Sequence, residues 1–229
     1  MKENERYFIN GIFMAMSIIY FIYLNIVGIP DDIIILLKYG GLHLKAIEGK
    51  EYWRYFVSIF IHINMGHILC AMLCQYIIGE RLERALGKIK YAILFLIVSI
   101  GSNLVFIRME MQELVETQGV SIAVGASGAI CGLAGGLLYV AQANKGKYYS
   151  LSSYRILLVL VFWVVYGLIN KNISNDVNIS GFIIGYLLSV VLYRRPKTYE
   201  EIMWNQSRDI SLAEYLPVNN DNDNWEDLE

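Results

Sequence analysis

Long apolar segments alternate with short polar links along most of the chain. Each long segment comes close to the roughly 20 apolar residues that a helix needs to cross about 30 Å of hydrocarbon. We therefore predict an all-α integral membrane protein with six transmembrane helices. They run from about Phe8 to Gly28, Ile63 to Arg81, Ile89 to Ile107, Ser127 to Ala143, Tyr154 to Asn170 and Val177 to Tyr193.

The first apolar segment follows a charged start, Lys2 to Arg6, as a secretory signal would. It is longer than the apolar region of a signal, however, and it continues through Tyr20 and Tyr23 without a small-residue cleavage site. We interpret it as a retained membrane anchor.

A long connection, the first loop, separates the first two predicted spans, from about Ile29 to Ile61. Its two apolar patches, Ile33 to Leu37 and Tyr52 to Phe60, are interrupted by proline, glycine and charged residues. Such alternation is typical of short helices that lie at the membrane interface, partly in lipid. We expect the first loop to be interfacial and not to span the bilayer.

Composition supports a membrane protein and narrows its partners. The chain is 56% hydrophobic and only 17% charged, with a mean hydropathy of +0.44, which is too apolar for a water-soluble domain of 229 residues. A formal net charge of −2 without a basic stripe excludes nucleic-acid binding. The lipid bilayer is the first expected partner. Cys70, Cys74 and Cys131 lie inside apolar segments, so no disulfide framework is predicted.

Basic residues and a change of composition predict orientation and domains. The positive-inside rule puts both termini in the cytoplasm, because the larger basic set falls on that side. That set is Lys2, Arg6, Arg81, Arg84, Lys88, Lys90, Lys145, Lys147, Arg155, Arg194, Arg195 and Lys197. From residue 196 onward the chain contains nine acidic residues and only two basic ones. We predict a membrane domain at residues 1–195 and an acidic cytoplasmic tail at 196–229.

Four motifs follow one another between the first loop and the fourth span. They are Glu51-Tyr52-Trp53-Arg54-Tyr55-Phe56, the pair His62 and His67, the helix end Gly79-x3-Glu83-Arg84-x2-Gly87, and Gly125-Ala126-Ser127-Gly128. In this order and spacing they resemble the rhomboid family of intramembrane serine proteases. The resemblance covers roughly Glu51 to Tyr193 and implies a rhomboid-like bundle with a long interfacial first loop.

The resemblance also implies roles for particular residues. Ser127 takes the nucleophile's position, and His67 with the Ser127 amide falls on the side that would stabilise the oxyanion. In the family a histidine on the sixth span is the general base. The matching run here begins with Asn178 and continues through Gly181 and Gly185, a small-xxx-small pattern that favours close helix packing.

Asn178 changes the functional expectation. A carboxamide can hydrogen-bond a serine but is not basic enough to take its proton. The chain's three histidines, His43, His62 and His67, all precede Ser127. Cys131 and Ala71 also stand where the family often has an aromatic residue and an asparagine. Losing the base of a serine dyad or triad removes roughly six orders of magnitude in rate.

Two hypotheses follow. The first is a pseudoprotease that binds transmembrane segments of other membrane proteins. The alternative is an active intramembrane serine endopeptidase that cleaves single-span substrates, with His67 or an ordered water carrying the proton. A channel or transporter is disfavoured, because the spans lack paired broken helices and buried ionisable residues along an ion path.

The remaining motif residues have structural interpretations. Trp53 and Arg54 are expected to anchor the first loop at the interface, where Arg can bind phosphate or backbone carbonyls. Glu83 and Arg84, at a helix end, are expected to form an intramembrane helix cap or a cytosolic ion pair. His62 is expected to be a hydrogen-bonded loop residue. His67, Cys70 and Cys74 share one helix face, but their spacing matches no compact metal motif. We predict no metal and no cofactor.

Overall fold

The computed structural model describes residues 8–29, 32–117, 121–148, 151–169 and 175–195. The chain divides into two units, Met1–Arg194 and Arg195–Glu229. The predicted acidic tail, residues 196–229, lies outside the described residues, as do Lys2, Arg6 and Lys197, on which the predicted orientation partly rests.

The described part of the first unit is a helical bundle with one short β-hairpin. Its elements are α1 Phe8–Val27, α2 Ile33–Lys38, α3 Leu44–Glu48, α4 Arg54–Val57, a 3-10 turn Ser58–Phe60, α5 Met65–Leu86, α6 Lys88–Thr117, α7 Ser127–Ala143, β1 Lys147–Tyr148, β2 Leu151–Ser152, α8 Ser153–Ile169 and α9 Asn175–Leu192. The prediction of an all-α membrane bundle is confirmed, with this hairpin as an addition.

Six of these helices, α1 and α5 to α9, coincide with the six predicted spans. Three of them, α1, α6 and α9, are each long and apolar enough to cross a membrane. Residues 54–60 and α5 pass the same test as a pair bent by 98°. The helices α7 and α8 are apolar but only 17 residues long. The number of spans therefore stays a prediction.

Helix boundaries differ from the predicted ones mainly in α6. The apolar segment was expected to end near Ile107, but the helix continues to Thr117. Glu, Met, Gln and Leu are good helix formers, so the helix persists after the apolar run has stopped. In the first loop, α2 and α4 occupy the two apolar patches, while α3 at Leu44–Glu48 was not singled out from the sequence.

The helix α7 is the centre of the bundle, with α5, α6, α8 and α9 packed around it. Its contact with α9 depends on glycines. A Cβ at Gly181 would collide with the backbone of Gly128, and a Cβ at Gly185 would collide with the backbone of Gly132. Water does not drive helices together in lipid, so such close backbone packing is a main source of attraction. The predicted small-xxx-small face therefore lies against the Ser127 helix.

Candidate active site

The segment that leads into Ser127, residues 121–126, is called the serine loop. It is bound to the first loop by backbone hydrogen bonds. The Leu42 amide donates to the Ala123 carbonyl (3.0 Å), the Ala123 amide donates back to Leu42 (2.8 Å), and the Gly125 amide donates to the Ser58 carbonyl (2.9 Å). Gly125 has φ +102, a conformation that favours glycine. The chain then enters α7 with a half-buried Ser127 as its first residue.

His67 lies on the first turn of α5, directly beside this loop. Asn64 caps α5 by accepting a hydrogen bond from the His67 amide (2.8 Å), which fixes where the helix begins. A Cβ at Gly125 would come within 2.6 Å of the His67 Cε1 and 2.9 Å of its Nε2. The imidazole therefore lies against the glycine two positions before Ser127.

The imidazole of His62 packs against that of His67. The two ring centroids are 4.9 Å apart, and the His62 Nδ1 is 3.2 Å from the Phe60 carbonyl. His62 is completely buried, and within the described part of the chain neither its Nε2 nor the His67 Nδ1 has a hydrogen-bond partner. The structure brings both histidines next to the serine loop, whereas His43 caps α3 in the first loop.

On α9, Asn178 lies at the level of the α7 N-terminus. Its neighbour Val177 would be 2.8 Å from a Cβ at Gly128, and Gly181, one turn later, packs on the Gly128 carbonyl. The Asn178 side chain is fully buried, and no hydrogen-bond partner for its amide nitrogen or oxygen occurs among the described residues. An amide in this environment supplies neither a basic group nor a positioned proton acceptor.

The other two departures from the rhomboid pattern also lie in this region. Ala71 on α5 and Cys131 on α7 are fully buried in the main apolar cluster. Neither side chain carries an aromatic ring or an amide. At these two positions the side chains are therefore apolar or weakly polar, where a polar or stacking residue would support a base.

Trp53 and Arg54 organise the first loop. The Arg54 guanidinium is buried and donates to the carbonyls of Leu37 (2.8 Å) and Gly41 (3.0 Å), while its Nε donates to Glu51 (2.6 Å). It also stacks on the Trp53 ring, 4.7 Å from the centroid. Trp53 itself is half-exposed. The Arg54 guanidinium thus binds backbone carbonyls, one of the two kinds of ligand expected for it.

Glu83 and Arg84 act at the opposite end of the bundle from Ser127. The buried Glu83 carboxylate accepts hydrogen bonds from the amides of Ile9 (3.1 Å) and Asn10 (2.9 Å), so it caps the N-terminus of α1. Arg84 forms an ion pair with Glu80 at 2.9 Å, one turn away on α5. Glu83 thus joins α5 to α1, while the ion pair of Arg84 lies within α5, and both are far from the serine along α5.

Two residues of the site region were missed in the sequence. Asn103 on α6 donates to the Tyr55 carbonyl (2.9 Å) and to the Ser58 hydroxyl (3.1 Å). Glu110, also on α6, accepts from the amides of Leu44 (2.8 Å) and Ser121 (3.3 Å). The only signal for Glu110 was an acidic residue just after an apolar run, which is common at span ends.

In the sequence, His67, Cys70 and Cys74 were considered as metal ligands because they share one helix face. Across the described ranges, no three His, Cys, Asp or Glu side chains are close enough to hold a metal ion. Cys70 is exposed, Cys74 is half-buried and Cys131 is buried. What the site does offer is a serine hydroxyl at a helix N-terminus, where backbone N–H groups favour negative charge.

Comparison with known proteins decides the family. The model of the Rhomboid domain matches residues 49–195, which is more than half of the chain. This chain belongs to the rhomboid family. The matched region includes the helices from α4 onward, the serine loop and the serine of Gly125-Ala126-Ser127-Gly128, whereas α1 and the first part of the first loop precede it.

Several curated rhomboids are similar to this chain. It is 32% identical over 200 residues to RHOMBOID-like protein 4 of Arabidopsis thaliana, which covers 77% of this chain and 48% of that protein. It is 28% identical over 198 residues to Rhomboid protease GluP of Bacillus subtilis (strain 168), and this match covers 83% of this chain and 37% of that protein. It is 27% identical over 180 residues to Rhomboid protease AarA of Providencia stuartii, and this match covers 70% of this chain and 63% of that protein. The chain thus spans between about a third and two thirds of these relatives.

Family membership makes the protein a multi-pass membrane protein in a lipid environment. The relatives include proteins named as proteases, so the fold is compatible with proteolysis. Whether this member hydrolyses peptides depends on the residues around Ser127.

Proposed function

We propose that this chain is a rhomboid pseudoprotease that binds transmembrane segments of other membrane proteins. One observation carries the proposal: Asn178 stands where the resemblance puts the general base, buried and with an amide that cannot take a proton from Ser127. Ala71 and Cys131, both buried, supply no substitute. The scaffold itself is intact, and binding a client helix needs no base.

A transmembrane client would meet this fold from within the bilayer. The outward face of α8 is apolar and bears a shallow depression lined by Leu158, Val161, Phe162, Val165 and Ile169. We propose this face as the first contact of the client. A photocrosslinking residue at Phe162 should capture a single-span model segment in membranes, whereas the same residue at Ile19, an exposed apolar position of α1, should not. Equal capture at both positions would contradict the proposed route.

The catalytic half of the proposal is tested with a fluorophosphonate probe. Purified protein in lipid should show no labelling at Ser127 under conditions in which an active rhomboid is labelled. Serine-dependent labelling that disappears in Ser127→Ala would overturn the pseudoprotease proposal.

The variant Asn178→His provides the complementary test. It restores an imidazole at the level of Ser127, so labelling or cleavage of a model substrate should appear where the parent has none. An Asn178→Gln variant controls for size without adding a base. A parent that already cleaves in a Ser127-dependent way would refute the proposal.

The second candidate is an active endopeptidase with a relocated base. The position of His67 favours it, because the imidazole lies against Gly125, two residues before the nucleophile. In this mechanism the Ser127 hydroxyl proton passes to His67 as Oγ attacks the peptide carbonyl, and then to the leaving amine; water completes deacylation. Loss of labelling in His67→Ala, with the fold intact, would support it.

We also propose that the helix ends bearing basic residues face the cytoplasm, as the positive-inside rule predicts. Among described residues these ends carry Arg81, Arg84, Lys88, Lys90, Lys145, Arg155 and Arg194. A cysteine introduced at Lys145 should be protected from an impermeant thiol reagent in intact cells, and one at Lys45 in the first loop should react. Reaction only at position 145 would reverse the orientation.

A further inference from the structure

Glu110 is a buried carboxylate that no motif of the family resemblance includes. It lies on α6 beyond the predicted end of the span, and it is 4% exposed. Its Oε2 accepts a hydrogen bond from the Leu44 amide at 2.8 Å, and its Oε1 accepts one from the Ser121 amide at 3.3 Å. One side chain therefore joins the first loop, where Leu44 begins α3, to the start of the serine loop.

The same two loops are joined again further along. Leu42, two residues before Leu44, forms the paired backbone bonds with Ala123, two residues after Ser121. The carboxylate thus closes one end of a short ladder whose other members are backbone groups. Gly125, at the far end of the serine loop, is bonded to the Ser58 carbonyl. The serine loop is therefore bonded to the first loop at Ala123 and Gly125, and to α6 at Ser121.

The helix α6 acts as the common support. Asn103, two turns before Glu110, holds the other part of the first loop through the Tyr55 carbonyl and the Ser58 hydroxyl. Hydrogen bonds to a charged acceptor are roughly twice as strong as those between neutral groups, and a buried carboxylate must keep its donors. Glu110 therefore adds, to the backbone bonds between the two loops, a side-chain link that accepts from one amide of each loop.

We propose that Glu110 is a positioning residue that locks the first loop and the serine loop into one unit. A displacement of the first loop then also moves the serine loop, which leads into Ser127. The first loop exposes Ile33, Ile34, Tyr52 and Trp53 to its surroundings. Lipid or a client that presses on these side chains would therefore act on the serine loop. The inference holds whether or not Ser127 hydrolyses anything, and its test needs no activity.

Amide hydrogen exchange of the full chain in lipid nanodiscs tests the lock. In Glu110→Ala the amides of Leu44 and Ser121 lose their acceptor, and we expect about 10- to 100-fold faster exchange at both. Exchange at Ala123 should accelerate with them, although its own acceptor, the Leu42 carbonyl, is untouched. Acceleration at Leu44 alone, with Ala123 unchanged, would overturn the proposal.

Glu83→Ala is the matched control. Glu83 is also a buried carboxylate that accepts two backbone amides, but it lies at the other end of the bundle. It should accelerate exchange at Ile9 and Asn10 and leave the serine loop unchanged. If it accelerates Ala123 as strongly as Glu110→Ala does, the effect is global destabilisation and the lock does not exist.

Glu110→Gln keeps the inference testable should the alanine variant fail to fold. A glutamine side chain has one oxygen acceptor, and its NH2 group cannot accept the second backbone N–H. We expect one of the two amides, Leu44 or Ser121, to keep its protection and the other to lose it, with intermediate exchange at Ala123. Wild-type protection at both amides would contradict a role for the two-oxygen carboxylate.

Discussion

The imidazole of His67 occupies the space where a side chain at Gly125 would be. A Cβ there would lie 2.6 Å from the His67 Cε1. Non-bonded contacts of a Cβ atom are essentially never this short, so either the ring or the loop would have to move. The glycine before the serine is thus required both by its backbone angle, φ +102, and by its histidine neighbour.

Gly125→Ala should destabilise the protein by about 2–4 kcal/mol, combining the left-handed backbone cost with the collision against His67. Unfolding in mixed detergent micelles measures the change. Gly146→Ala is the control, because Gly146 has φ +89 but nothing within 4 Å of its Cβ position, so only the backbone cost applies. The double variant Gly125→Ala with His67→Ala should recover the collision part. Equal losses in Gly125→Ala and Gly146→Ala would show that the ring does not press on the loop.

Gly185→Ala should separate α9 from α7. Its Cβ would lie 2.8 Å from the Gly132 Cα and closer still to the Gly132 carbonyl group, so the helices must move apart at a cost of about 1–3 kcal/mol or more. Gly11→Ala on α1 is the matched helical control, with nothing within 4 Å, and should stabilise the protein by about 0.5–1 kcal/mol. If both changes had the same sign, close packing at Gly185 would be refuted.

Much of the bundle could be predicted because lipid makes the apolar pattern explicit. The helix α7 has the predicted bounds, Ser127–Ala143, since a glycine turn precedes it and Asn144-Lys145 follows it. The level of Asn178 could be inferred because Gly181 and Gly185 leave few ways of packing α9. The extension of α6 could not be predicted, because the hydropathy pattern shows where the membrane-embedded segment ends and not where the helix ends.

The support of the site was less predictable. Glu110 contacts Leu44, 66 positions away in the chain, and Glu83 contacts Asn10 across 73 positions. Such pairings depend on how helices are placed side by side, which no local spacing reveals. A charged residue at the end of an apolar run is also expected at any membrane surface, so Glu110 was not distinguishable as a ligand of buried amides, and the cap suggested for Glu83 could not be assigned to a helix.

Asn178→Leu should stabilise the fold. Within the described structure the Asn178 amide is buried without a partner, and burial of an unpaired amide costs roughly 1–3 kcal/mol. Leucine has a similar volume and no polar atoms, so the free energy of unfolding should rise by a comparable amount. Asn178→Ala is the control, because it removes the amide but leaves a cavity. A clear loss of stability in Asn178→Leu would mean that the amide is bound in the folded protein.

The pH response of the first loop should depend on His43. Its Nδ1 accepts a hydrogen bond from the Ala46 amide (3.3 Å), which only an unprotonated nitrogen can do. Burial lowers the pKa of His43 below its ordinary 6.5, and Arg54 and Lys45 act in the same direction while Glu51 opposes them. The unfolded chain therefore takes up this proton at a higher pH than the folded one. The stabilisation is complete above pH 6.5 and is lost as pH falls through the folded pKa.

The variant His43→Asn isolates this effect, because asparagine can cap α3 with its side-chain oxygen and does not titrate. The difference in unfolding free energy between wild type and His43→Asn should be constant from pH 8 to about pH 7. Below pH 6.5 it should shift steadily in favour of the asparagine variant. Every other titrating group is common to both proteins, so it cancels in this comparison. A difference that stays flat down to pH 5, or that shifts in favour of the wild type, would show that the His43 imidazole does not cap the helix in its neutral form.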